Sequence, residues 1–154
     1  MRLSPEQRRL RTRAQLMGLV CGGFAGLFGG GFAVQFCYLI NDGPGNWWVA
    51  IDRWSETKTK ALVGAALFGL IGAAIGGRLA ERHAARRVSL WFPVLLSAIA
   101  FGIGACVGIQ LAEKFGQSME IKYATVAGLS VAFDVYLGAS LFRVLFNRDC
   151  NSAG

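Results

Sequence analysis

Asp134 is the residue of this chain best placed to do chemistry. It is the one charged residue in Tyr123 to Phe142, a stretch of 20 residues otherwise free of Asp, Glu, Lys and Arg. If Tyr123 to Phe146 forms one helix, Asp134 falls at its midpoint. A charged carboxylate near the centre of a bilayer is costly, so such an acid turns toward protein and marks an ion pathway or a polar contact. Ala127, Ser130 and Gly138 share its helical face, and their small size lets a neighbouring helix approach. No Lys or Arg of the chain lies at that depth. Three readings stay open: a proton or cation site, a contact with a basic or polar group of another subunit, or a neutral acid hydrogen-bonded locally to a group such as the Ser130 hydroxyl.

The other reactive side chains form no constellation. Cys21, Cys37, Cys106 and Cys150 have no CxxC spacing, and His83, the sole histidine, lies in a loop among arginines. HExxH, GxSxG and Walker sequences are absent. No catalytic, cofactor-binding or metal-ligating residues are assigned, and an enzyme is not expected. Gln35 and Gln110, toward the outer ends of their spans, are expected to meet in an interhelical hydrogen bond.

What must position Asp134 is a set of apolar helices. The chain has 154 residues, 54% hydrophobic and only 16% charged, with 21 glycines. Average proteins carry roughly 25% charged residues and about 7% glycine. Ala14 to Asn41 is 28 residues without charge, Ala61 to Gly77 is 17, and Val88 to Ala112 is 25. About 20 apolar residues cross a hydrocarbon core roughly 30 Å thick. The fold class expected is an all-α integral membrane protein with four transmembrane helices, at about 14–40, 61–80, 88–112 and 123–146. A basic segment 1–13 precedes this domain and a short tail 147–154 follows it. The first apolar run is too long for the core of a signal peptide, so it is expected to be a retained span.

Arginine and lysine set the orientation. Eleven lie in the amino-terminal segment, the 78–87 connection and the tail; five lie in the other two connections. Both termini are therefore expected on the cytoplasmic or matrix-equivalent side of a bacterial or organellar inner membrane. Arg82, Arg86 and Arg87 are candidates for holding anionic lipid headgroups. No aromatic interleaving or recognition helix accompanies the basic residues, so nucleic acid is not an expected partner. The short second connection suggests that the second and third spans are antiparallel neighbours.

Trp47, Trp48 and Trp54 follow the turn sequence Asn41-Asp42-Gly43-Pro44-Gly45-Asn46, and Trp91 begins the third span. Residues 47–54 read as a short interfacial helix, and the four tryptophans as anchors at the two membrane surfaces.

Small residues recur every four positions in all four spans. Gly18, Gly22, Gly26 and Gly30 form a ridge on the first. The second carries Ala65, Gly69, Ala73 and Gly77, with Gly72 and Gly76 alongside; the third carries Gly104 and Gly108, and the fourth Gly128. In lipid, helices associate by close backbone approach, which small residues permit. A compact glycine-rich bundle is expected, with stripes to spare for a second copy or a foreign subunit.

Span count and the Gly18-to-Gly30 stripe resemble, in general terms, the mitochondrial presequence and carrier translocase family and its relatives among respiratory-complex accessory subunits. Before the second span this chain has Arg53-Trp54-Ser55-Glu56-Thr57 rather than that family's Arg-to-Asp spacing. Small fluoride channels are similar in size and glycine content, but their track of Asn and Thr/Ser is absent. The expected function is a non-catalytic tetraspan subunit that packs into a larger membrane complex. The alternative is a small oligomeric transporter or channel using Asp134 for a proton or cation.

Overall fold

The computed structural model describes residues 5–42, 54–82, 88–116 and 120–152. Four helices fill these segments: α1 (Pro5–Asp42), α2 (Trp54–Arg82), α3 (Trp91–Lys114) and α4 (Glu120–Ser152). Each is long and apolar enough to cross a membrane. α1, α2 and α4 extend past the uncharged stretches at both ends, and α3 at its carboxyl end, because the flanking arginines, lysines and glutamates are good helix formers that water can solvate. Pro5 opens α1, where its missing N–H has no intrahelical partner to lose. Pro93 sits in the first turn of α3 for the same reason. That helix stops where Gly116 takes a left-handed conformation at φ 64°, its N–H donating to the Glu113 carbonyl at 3.0 Å.

The helices adjoin in the order α2, α1, α4, α3, each antiparallel to its neighbour. α1 meets α2 and α4 along much of its length, α4 meets α3 likewise, and α1 touches α3 only slightly. The α2 and α3 backbones nowhere come within 8 Å of each other among the described residues. This corrects the expectation that a short connection makes them neighbours. The eight residues 83–90 can span up to about 26 Å when extended, so the link constrains reach and not contact.

Two buried clusters hold the arrangement. One joins Val34, Cys37 and Tyr38 of α1 to Leu111 and Ala112 of α3 and Tyr123, Ala127 and Val131 of α4. The Tyr38 ring meets Phe115 edge-on at 5.1 Å. The other, nearer the chain termini, gathers Ala14, Ala80, Val88, Phe142 and Phe146. Outside these the surface is apolar: Leu62 is 63% exposed, Leu70 64% and Leu95 65%. In water such surface would drive aggregation; against lipid tails it is well solvated.

Candidate functional site

The α1–α2 seam is backbone against backbone. A Cβ at Gly18 would overlap the Gly72 carbonyl, one at Gly22 the Phe68 carbonyl, and one at Gly26 the Gly64 carbonyl. Gly76 stands in the same relation to Ala14, while Gly30 and Gly69 make looser approaches to Lys60 and Leu19. On α2 the tightest approaches run through Gly64, Phe68, Gly72 and Gly76, the face that takes in Gly72 and Gly76 alongside the Ala65-to-Gly77 stripe. Both stripes are rich in small residues, so composition could not choose between them. The α3–α4 seam is similar: Gly104 faces the Ala127 carbonyl at 2.6 Å from its virtual Cβ, Gly108 faces that of Tyr123, and Gly128 lies under the Phe101 ring. Gly138, one of the small residues on the Asp134 face, brings α4 onto Cys21 of α1.

Asp134 lies one helical turn before Gly138, in the same α1–α4 contact. A Cβ added to Gly29 would sit 3.6 Å from the Asp134 Cβ and 3.7 Å from its Oδ2, so the carboxyl group rests against the bare backbone of α1. It is half-buried, and it is the central residue of the 29-residue apolar helix Glu120–Arg148. It makes no hydrogen bond or ion pair among the described residues, and the bond to Ser130 that one of the three open readings offers is not formed. Two open grooves meet at this carboxyl. One is lined by Val20, Phe24, Phe28, Leu137 and Leu141, the other by Phe32, Phe36, Val126, Leu129 and Phe133.

The edges of this combined groove are two ladders. Phe24, Phe28, Phe32 and Phe36 stack along α1 with successive ring centroids 6.1, 5.9 and 6.2 Å apart. Leu129, Phe133, Leu137 and Leu141 line α4 and are all at least half exposed. The phenylalanines share the four-residue interval of the glycine ridge but lie two positions away, about 200° around the helix. That signal was present in the sequence. It went unread because exposed aromatics look like ordinary lipid-facing residues.

A second cleft opens between α2 and α3, with α1 and α4 as its floor. Phe68, Ile71 and Ile75 form one wall and Leu96, Ile99 and Ile103 the other, and no Asp, Glu, Lys, Arg or His lines it.

The end of the molecule that carries the chain termini is polar. Arg11 pairs with Glu81 at 2.8 Å. Asn147 accepts a hydrogen bond from the Val88 N–H at 2.8 Å and donates one to the Val88 carbonyl at 3.3 Å, while Arg143 Nε donates to the same carbonyl at 3.2 Å. This clamp ties the start of α3 to α4. Gln35 bonds not to Gln110 but to the buried Thr57 of α2 at 3.3 Å, and Gln110 is exposed. The correction follows from the helix order, which puts α2 against α1 along the Gln35 side. Cys21 and Cys37 are buried and Cys106 is exposed; all three are free thiols.

Trp91 is 75% exposed at the start of α3. Trp54 opens α2 and Arg82 closes it. Trp47, Trp48 and the expected interfacial helix, together with His83, Arg86 and Arg87, lie outside the described residues. No known protein family matches the chain, and comparison with curated proteins and with solved structures finds no significant similarity.

Proposed function

We propose that the chain is a non-catalytic tetraspan subunit of a larger membrane complex, held together internally by glycine zippers and offering its remaining faces to other transmembrane subunits. The observation that carries this reading is the open cleft between α2 and α3. Two apolar walls stand apart over a floor of Gly18, Gly22 and Gly138, so the fold is two zipped pairs with an uncovered side rather than a closed ring. Small residues on that floor let an inserted helix or side chain come close.

The chain inserts in a bacterial or organellar inner membrane with both termini on the cytoplasmic or matrix-equivalent side. The 11-to-5 distribution of Arg and Lys supports this orientation. Arg82, Arg86 and Arg87 meet anionic headgroups. Other subunits and lipid are the partners, and no cofactor takes part.

The class rival is a transporter using Asp134. Apart from Ser130 and Asp134 itself, the residues lining the grooves beside the carboxyl carry no polar side chain other than the Cys21 thiol, which gives an ion no hydrated route. Flux through proteoliposomes of the purified chain separates the two. A subunit shows no proton or cation flux that Asp134→Asn removes, and such a flux would contradict the proposal.

A further inference from the structure

We infer that the groove between the Phe24–Phe36 ladder and the Leu129–Leu141 ladder receives one transmembrane helix of a different polypeptide, carrying a Lys or Arg at mid-bilayer depth that pairs with Asp134. This inference rests on the subunit reading and gives one of its partners a chemistry.

The groove has the dimensions of a helix seat. From Val126 to Leu141 it follows α4 for 15 residue steps, about 22 Å of rise, most of a hydrocarbon core roughly 30 Å thick. Its edges are regular rows at four-residue spacing, the ridges into which a second helix packs. A lipid chain would fit the apolar edges but leave the carboxyl with nothing to bond.

The carboxyl selects the occupant by charge. Along α4 the nearest cations are Lys122 and Arg143, 12 and nine residues away, about 18 and 14 Å of rise. Arg143 already donates to the Val88 carbonyl. Gly29 offers bare backbone and the groove edges are hydrocarbon. A second copy of the chain fails the same test. Its described cation nearest that depth is Lys60, which lies beside Gly30 on the side of α1 facing away from the phenylalanine ladder, so a symmetric pair joined through the groove would set acid near acid. An acid inside a membrane is stabilised by an opposite charge supplied from a neighbouring helix.

The test places a photo-crosslinking residue at Leu137 or Phe133 of the tagged full chain in its native membranes and maps the captured segment by mass spectrometry. The expected product is an adduct to a foreign apolar helix with one Lys or Arg near its centre. Asp134→Asn should reduce its yield about tenfold. Asp134→Lys should abolish it, and reversing the partner's basic residue to Asp should restore it. Gly102→Ala, remote from any neighbour, serves as the folding and yield control.

An adduct to a helix without a central basic residue overturns the inference, as does an adduct to a second copy. So does a yield indifferent to Asp134→Asn, or a proton flux that depends on Asp134. If nothing is captured while the wild-type chain still migrates in a large complex, the inference falls and the subunit reading stands. If the wild-type chain migrates alone, both fall.

Discussion

Gly18 and Gly72 face each other so closely that a Cβ on either would overlap the other's carbonyl oxygen. Such reciprocity leaves no room for relaxation by side-chain rotation, since the obstacle on each side is backbone. Gly72→Ala should therefore force α1 and α2 apart and cost about 1–3 kcal/mol, the usual range for overpacking a tight contact. Gly102 has nothing within 4 Å of its virtual Cβ, so Gly102→Ala should be neutral or stabilising by up to about 1 kcal/mol through helix propensity. Unfolding of both variants in one detergent measures the difference. Equal effects would show that the seam is not tight.

Asn147 makes a second local prediction. It satisfies both backbone groups of Val88. Asn147→Ala should cost about 1–3 kcal/mol, the penalty for leaving partly buried polar groups without partners. Amide exchange at Val88 should accelerate in step, while exchange in the α1–α2 seam stays unchanged. Asn147→Asp keeps the acceptor and loses the donor, and should fall between the two.

The Arg11–Glu81 pair should matter little. Both side chains are more than 40% exposed, and exposed pairs contribute about 0–1 kcal/mol, less in salt. Glu81→Gln should change unfolding stability by less than about 1 kcal/mol. A loss several times larger would mean that the pair is shielded in the assembled protein.

The four spans were legible because charge is expensive in lipid: each apolar run is bracketed by residues such as Arg13, Lys60, Arg78 and Lys122 that must stay near water. Helix order was not legible. A short link between α2 and α3 reads as adjacency, yet what decides adjacency is which stripes interlock, and Gly18-to-Gly30 meets the Gly64–Gly76 face of α2. Composition alone does not rank the two faces of α2, since Gly64/Ala65, Gly72/Ala73 and Gly76/Gly77 are equally small. Asp134 stood out by type alone. Its setting did not, because the Gly29 backbone beneath it and the phenylalanine ladder beside it acquire meaning only once α1 and α4 are laid together.

The account rests on the chain working as part of a larger particle. The most direct measurement is the native mass of the wild-type protein after extraction from its own membranes in mild detergent. The account predicts a particle much heavier than the 16.5 kDa chain, containing other membrane polypeptides in fixed ratio. A particle made only of this chain, whether single or self-associated, would contradict it.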